Sequence, residues 1–384
     1  MKITIIGGGP AGLYFALLAK KHDPAHDIRI FEQNPRGATY GWGVVFSDVG
    51  LSFLKEADPD FFAEFTAGHE CCDYMEIVHR DTRVQIHGNH FSRTARLAML
   101  ETLEHACRRV GVEIRHGERI TDIDALARDA DLLVGADGAN SAVRLHYAEQ
   151  FRPSFERRRN KFAWYGTRQR FHPVSLIFRE TAAGVFVAHS YQYSPEFSTF
   201  LVEVDPETWL RAGFDRMSEE ESSRACTEIF RADLGSNPLL TNRSHWFEAN
   251  IVRNERWHHG NVVLLGDALR TVHFSLGSGT RMAMQDAIAL HHGIVDHPGD
   301  LPAAFAAFEA QRRRSSSSFQ GAAARSLDWY ETVAGKLHLD PVGFAYDYMR
   351  RTGQVSHEDL RRRDPHFTAA YEAQNTDEPL GRTA

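Results

Sequence analysis

The chain opens on Lys2-Ile3-Thr4-Ile5-Ile6-Gly7-Gly8-Gly9-Pro10-Ala11-Gly12, and no other stretch limits the possible folds so sharply. Ile3 to Ile6 reads as a buried strand, and the Ala/Leu-rich segment from Pro10 to Lys20 reads as a helix. Three glycines spaced G-x-G-x-x-G join them. Gly7 gives the turn its backbone freedom, Gly9 lets the main chain approach a pyrophosphate, and Gly12 lets helix and strand nearly touch. A second strand, Ile28 to Phe31, ends at Glu32, with Gln33 beside it. The Glu32 carboxylate is placed to bond ribose hydroxyls. This β-α-β unit implies a parallel sheet and a bound dinucleotide, and it does not distinguish FAD from NAD.

Two later elements share the same logic. The apolar run Val262 to Leu265 leads into Gly266-Asp267-Ala268-Leu269-Arg270-Thr271-Val272-His273-Phe274-Ser275-Leu276-Gly277-Ser278-Gly279-Thr280, and a helical segment from Arg281 to His291 follows. An acid at a strand mouth, a small-residue turn and a helix start suit a polar cofactor edge, because backbone N–H groups and the helix dipole meet there. Asp131 to Arg144 reads as strand, acidic turn at Asp137-Gly138, and helix start.

In this order the three elements resemble the flavoprotein aromatic hydroxylases of the p-hydroxybenzoate hydroxylase type. The resemblance implies FAD bound non-covalently through Gly7, Gly9, Pro10, Ala11, Gly12, Glu32, Gln33, Asp137, Gly266 and Asp267. It places Arg96 near the FAD phosphates, with Arg93 as a nearby competitor, and brings the middle motif to the nicotinamide donor. The turn Leu276, Gly277, Ser278, Gly279 and Thr280 is then expected to stabilise negative charge at N1 of the reduced flavin. The loop holding Gly41, Trp42, Gly43, Val44 and Val45 is expected at the other flavin edge, with Trp42 packed nearby. Only one G-x-G-x-x-G is present. That suggests a transient NADH or NADPH that visits a surface groove and reduces the flavin. O2 then yields a C4a-hydroperoxide, whose distal oxygen passes to an electron-rich ring.

Composition agrees with an enzyme of this kind. The 384 residues are 42% hydrophobic and 25% charged, enough for a substantial core. A net charge of −7 argues against a nucleic-acid partner. No 18-residue apolar span appears and the chain starts in its first strand, so no membrane contact and a cytoplasmic location are expected, as monomer or homodimer. Four cysteines are too few for a disulfide scaffold, and Cys71-Cys72 with His69 and His79 lacks zinc spacing. The expected fold is α/β + β: a Rossmann-like FAD-binding domain interleaved with an antiparallel-sheet substrate domain, then a helical C-terminal region. Residues 1–160 and 258–300 form the first, with a strand excursion near 70–90. Residues 161–257 form the second, with a helix near Glu219–Leu234, and 301–384 the third, broken at Asp340-Pro341 and frayed after Asn375. A helix is expected from Arg93 to Val110, and Arg312-Arg313-Arg314 with the serines after it reads as a solvated helix face.

Tyr40 to Asp48, His273 to Thr280, Leu339-Asp340-Pro341 with Phe344, and Leu360 to Pro365 are similar to the aromatic acyl-CoA hydroxylases, the group acting on salicylyl-CoA and anthraniloyl-CoA. Two stretches depart from that pattern. Leu269-Arg270 replaces the common Ala-His after Gly-Asp-Ala, and Asn160 to Thr167 resembles the indole-modifying hydroxylase of violacein biosynthesis. The resemblance therefore implies a small aromatic substrate carried as a CoA thioester, hydroxylated para to a phenol to give a gentisyl thioester. The alternative is an indole or another free aromatic metabolite. The anthraniloyl-CoA enzymes carry a further reductase domain, which this sequence lacks, so simple ring hydroxylation is expected. His273 is the first candidate for a base or acceptor at that phenol, with Tyr165, His189, Tyr191 and Tyr193 as the others. Arg157, Arg158, Arg159, Lys161, Arg168 and Arg170 are candidates for the CoA phosphates.

Overall fold

Two sheets organise the computed structural model, which describes residues 1–38, 41–47 and 50–374. The first has six strands in the spatial order His258–His259, Val262–Leu264, Leu132–Gly135, Lys2–Ile6, Asp27–Glu32 and Glu113–His116. All but the first pair are parallel. Parallel strands are covered on both faces and so read as continuous apolar runs, which is why Ile3, Ile5, Leu132 to Val134, Val263 and Leu264 are all buried. Helices Pro10–His22, Arg96–Arg109 and Gly279–Asp296 supply the cover. Pro10 at the first helical turn loses no hydrogen bond there and presets the helical φ.

The second sheet has nine strands. Along its path lie Leu239–Leu240, Pro153–Thr167, Ser198–Val204, Gly184–Gln192, Val174–Thr181, Glu70–His79, Thr82–Ala95 and Gly43–Ser47, and Phe247–Asn254 pairs with Pro153–Thr167. Every pairing is antiparallel except Glu70–His79 beside Val174–Thr181. That one parallel seam fuses the early strand excursion to the later substrate segment. The boundary expected at residue 160 falls inside the strand Pro153–Thr167.

Side chains alternate across this sheet, and its two faces have different covers. Ala163, Tyr165, Phe186, Ala188, Phe200 and Val202 pack under the helices Glu219–Ile229 and Arg231–Leu234. Met75, Ile77, Leu176, Phe178 and Val187 pack on C-terminal residues such as Trp329, Tyr330, Phe344 and Tyr348. His189, Tyr191, Leu201 and Glu203 alternate onto the second face. The C-terminal region is helical over Leu301–Glu331, Pro341–Arg350, His357–Arg363 and Pro365–Gln374. Asp340 breaks it as expected: its carboxylate accepts from Val342 N and Gly343 N, with Pro341 opening the next helix. The tail after Asn375 lies outside the described residues.

Two local expectations are corrected. The helix begins at Arg96, because Arg93 is paired in the strand Thr82–Ala95 with Val45 and Glu70 and is fully buried. Arg312 and Ser316 turn inward instead of lying on a solvated face, because Arg312 meets a buried carboxylate on the Gly279–Asp296 helix.

Candidate active site

The dinucleotide end is built from close approaches. Gly7 has φ +112°, and a Cβ there would lie 2.2 Å from Ala136 O, so any side chain is barred on two counts. A Cβ on Gly12 would lie 2.4 Å from Gly7 O and 3.0 Å from Ile5 Cγ2, as close helix–strand packing requires. At Gly9 a Cβ would meet nothing within 4 Å, so the N-terminus of the Pro10–His22 helix looks onto open space. Pro10 continues that rim, and Ala11 turns inward beside Gly266. Glu32 is fixed from both sides. Its Oε2 accepts from Gly8 N (2.8 Å), and its Oε1 accepts from Asn34 N (2.8 Å) and Asn34 Nδ2 (2.7 Å). Gln33 is exposed beside it.

Charge gathers where the three motifs meet. Asp267 follows Gly266, whose φ of +59° suits glycine. Protein surrounds the Asp267 carboxylate, yet the residue stays accessible to solvent, which marks it as the wall of a deep crevice. That environment raises its pKa, opposed by the Arg96, Arg270 and Arg144 guanidinium groups. Arg96 has the same half-open character, and burial lowers its pKa against the pull of Asp267. Arg96 starts its helix with its N–H bonded to Trp42 O at 2.9 Å. Asp137 is committed to its own turn: it accepts from Ser141 Oγ (2.5 Å), Ala142 N (2.6 Å) and Val143 N (3.2 Å). It therefore shapes the loop. Arg144, absent from the expected set, is the buried clasp between motifs, donating to Ala139 O and to Ala268 O.

The departure at Leu269-Arg270 also has a structural reason. Arg270 grips Asp286 with two 2.8 Å hydrogen bonds, and Arg312 Nε adds a third at 2.9 Å. All three side chains are buried, so two guanidinium groups share one carboxylate and leave a net positive charge close to Asp267. A positive interior beside two helix N-termini suits a pyrophosphate.

The expected flavin edge is assembled from three directions. Gly43–Ser47, which holds Val44 and Val45, is the edge strand of the large sheet, so one side of its backbone faces away from the ladder. The turn Phe274–Gly277 comes against it: a Cβ on Gly277, at φ +59°, would lie 3.2 Å from Val45 O. Ser278 Oγ bonds Leu276 O, and the open approach to Gly279 leads into the helix that carries Thr280. The C-terminal region holds the turn in place, through Ser326 Oγ at 2.9 Å from Ser275 Oγ and Arg351 donating to Ser275 O at 3.3 Å. Trp42 lies against Gly166, where a Cβ would clash at 2.6 Å, so its indole wedges the loop onto the substrate sheet. Gly43 is tied there as well. Its N–H donates to Thr199 Oγ1 (2.9 Å), its carbonyl accepts from Tyr191 OH (2.8 Å), and Tyr193 packs on its Cα. Tyr40 and Asp48 of this motif lie outside the described residues.

The ring-binding candidates separate by sheet face. His273 is 1% exposed and caps the Phe274–Leu276 turn, its Nδ1 accepting from Ser275 N at 3.3 Å. Its proton therefore sits on Nε2, which is buried without a partner among the described residues. Burial above all, with His189, Arg158 and Arg351 nearby, drives its pKa down to about 3, so the ring is neutral near pH 7. His189 and Tyr191 share the opposite wall, and His189 packs against Phe274 and Tyr330. Burial pushes Tyr193 up to about 12 and Tyr191 higher. Tyr165 does not join them. It lies on the other face, buried against Cys226, Phe186 and Phe200, with its pKa raised mainly by burial. A cavity of about 250 Å³ adjoins the His189 wall rather than the dinucleotide crevice, lined by Asn160, Glu203, Val187, Tyr330, Arg159 and Arg211.

Comparison with known proteins fits this architecture. Residues 122–297, spanning the second and third motifs, match the family model described as FAD binding domain. The chain is 36% identical over 362 residues to a salicyloyl-CoA 5-hydroxylase of a Streptomyces species, covering 92% of this chain and 70% of that protein. It is 35% identical to the protodeoxyviolaceinate monooxygenase of Chromobacterium violaceum, covering 91% and 94%. This chain belongs to the FAD-dependent aromatic monooxygenases. The 3-hydroxy-4-methyl-anthranilyl-(aryl-carrier protein) 5-monooxygenase of Streptosporangium sibiricum is 32% identical, covering 94% and 97%. The fold is also that of 2-methyl-3-hydroxypyridine-5-carboxylic acid oxygenase, with a TM-score of 0.71 at 17% identity over 94% of this chain and 97% of that one.

The basic cluster of this monooxygenase is less available than its sequence implies. Arg158 is enclosed by Glu156, Asp328 and Glu331; Arg157 and Lys161 share Glu248; Arg159 pairs with Glu207 and Arg168 with Glu196. Arg170 is exposed. Among the described residues no helix is long and apolar enough to cross a membrane.

Proposed function

We propose that this monooxygenase hydroxylates an aromatic ring presented as a thioester of the salicyloyl-CoA type, para to a ring hydroxyl, consuming NADH or NADPH and O2. The observation that supports the substrate class is that two of the three relatives act, by name, on an aryl group carried by CoA or by an aryl-carrier protein, and both match across nearly the whole chain. Bound FAD would relay the reducing equivalents of NADH or NADPH to O2 and activate it. The protein binds and orients. The Gly7–Gly12 turn and Glu32 hold the adenosine half, Arg96 and Asp267 the phosphate and ribityl region, and Leu276 to Thr280 the flavin edge opposite Val45. His273, neutral with its proton on Nε2, offers a buried donor to the ring substituent, and its turn closes the chamber to water.

A second reading has its own support: the 35% identity to the protodeoxyviolaceinate enzyme favours an indole. A panel of salicyloyl-CoA, free salicylate and indoles separates the two. Salicyloyl-CoA is expected to stimulate NADH oxidation and yield a para-hydroxylated thioester, while salicylate at equal concentration does neither, because it lacks the remote binding energy of the CoA moiety. Comparable hydroxylation of the free acid, or preference for an indole, refutes the thioester assignment.

A further inference from the structure

A polar cluster on the substrate wall stands apart from the flavin motifs. Glu203, on the strand Ser198–Val204, has no solvent exposure. Its Oε1 accepts from Asn160 Nδ2 at 2.7 Å, and its Oε2 lies 2.9 Å from His189 Nε2. The same face carries Val187, Leu201 and Phe162, and an apolar residue at position 203 would satisfy the sheet as well. A buried carboxylate is costly to desolvate and persists where a partner requires it. Here that partner is the imidazole. Glu203 fixes the ring with the Nε2 proton toward the carboxylate and leaves Nδ1 with no hydrogen-bond partner among the described residues.

The position of His189 gives the arrangement its meaning. It sits two residues, roughly 7 Å, along the strand from Tyr191, the residue bonded to Gly43 O. Phe274, from the flavin-edge turn, packs on its other side. The groups around it are few. The Ser198–Val204 strand contributes Glu203 and the Pro153–Thr167 strand Asn160. The Leu301–Glu331 helix contributes Tyr330, backed by Tyr348 and Arg351, and the turn contributes neutral His273. Arg158, near His273, is neutralised by Glu156, Asp328 and Glu331.

We propose that Glu203 and Asn160 position His189 as the base that takes the proton of the substrate's ring hydroxyl. The inference rests on the reading of the substrate as a hydroxyl-bearing aromatic ring. The O–H bond breaks, its electron pair stays on oxygen and enriches the ring, and the proton bonds to Nδ1. The imidazolium then donates its Nε2–H to the Glu203 carboxylate. When the hydroxylated carbon releases its proton to water, the C–H electron pair restores the aromatic ring and the phenolate oxygen takes the Nδ1 proton back.

The test uses the FAD-loaded enzyme and its Glu203→Gln and His189→Asn variants. Wild type is expected to show a downfield, hydrogen-bonded imidazole N–H resonance in one-dimensional ¹H NMR, absent from His189→Asn and lost or moved upfield in Glu203→Gln. Both variants are expected to keep their FAD and to form hydroxylated salicyloyl-CoA roughly 100-fold more slowly, with the NADH consumed appearing as hydrogen peroxide. Anthraniloyl-CoA, whose ring amine donates its lone pair without first losing a proton, is expected to lose far less. Wild-type coupled turnover of salicyloyl-CoA by Glu203→Gln, or equal losses on both rings, overturns the proposal. If wild type leaves salicyloyl-CoA unhydroxylated, the substrate reading fails instead. Persistence of the N–H resonance in Glu203→Gln then overturns the pairing on its own.

Discussion

The dinucleotide crevice and the substrate chamber are made on opposite principles. The crevice is lined by main chain. Its decisive residues are glycines at strand-to-helix turns; Asp267 directly follows one of them, Glu32 ends the second strand and Arg96 opens a helix. The chamber is lined by side chains from strands far apart in the chain, selected by sheet register. A backbone-built site tolerates almost no substitution and looks alike throughout a family. A register-built site can change one wall at a time, which lets one fold accommodate different substrates.

This contrast predicts the largest effects at the crevice. Gly12→Val places atoms where Gly7 O and Ile5 already stand, so the helix and first strand must separate. The expected product is a colourless, destabilised protein, read from the 450 nm absorbance of the purified variant and its urea midpoint. Full flavin content would mean that the close approach is not required. Asp267→Ala comes next. Loss of one charged hydrogen-bonding group at the crevice wall is expected to weaken FAD binding by roughly 10- to 100-fold, measured by fluorescence titration of the apoprotein. Unchanged affinity would remove Asp267 from the FAD site.

The chamber predicts smaller, pH-dependent effects. His273 is held neutral, with its folded pKa lowered to about 3 by burial. Unfolded histidine titrates near 6.5, so between these values the unfolded chain binds the extra proton. Stability from this residue is complete above pH 6.5 and falls as pH drops towards 3, by roughly 2 kcal/mol at pH 5. Denaturant unfolding at pH 7 and pH 5 should show that loss in wild type and a smaller one in His273→Gln. Parallel losses in both would place the acid sensitivity elsewhere.

The same division explains what was legible in the sequence. The close approaches at Gly7 and Gly12 follow from local spacing, and in the structure a Cβ at either would collide with main chain. The parallel sheet, the antiparallel sheet and the Asp340-Pro341 break were likewise written in local periodicity. Arg93 misled because a helical pattern extends a few residues into a strand whose partners, Val45 and Glu70, are remote. Arg144 stood in a recognised motif, but its link to Ala268 joins residues more than a hundred positions apart, which spacing cannot show. The Arg312 run looked solvated because its carboxylate, Asp286, lies on another helix. Tyr165 and His189 could not be ranked by type, since each points where strand pairing sends it. The structure separates them, with His189 facing Phe274 and Tyr165 facing Cys226. Tyr165→Phe is therefore expected to give the smallest effect of all, with coupled turnover within about twofold of wild type and stability within about 1 kcal/mol. A large loss of coupling in that variant would return Tyr165 to the chamber.

The central claim, that a generic flavin crevice serves a thioester-selective chamber, is tested most directly by one isotope measurement. The purified enzyme, salicyloyl-CoA and NADH are incubated under ¹⁸O2, and the product is analysed by mass spectrometry. The account predicts one ¹⁸O atom in a para-hydroxylated thioester and none in free salicylate treated identically. Product oxygen from water, or equal labelling of the free acid, would contradict it.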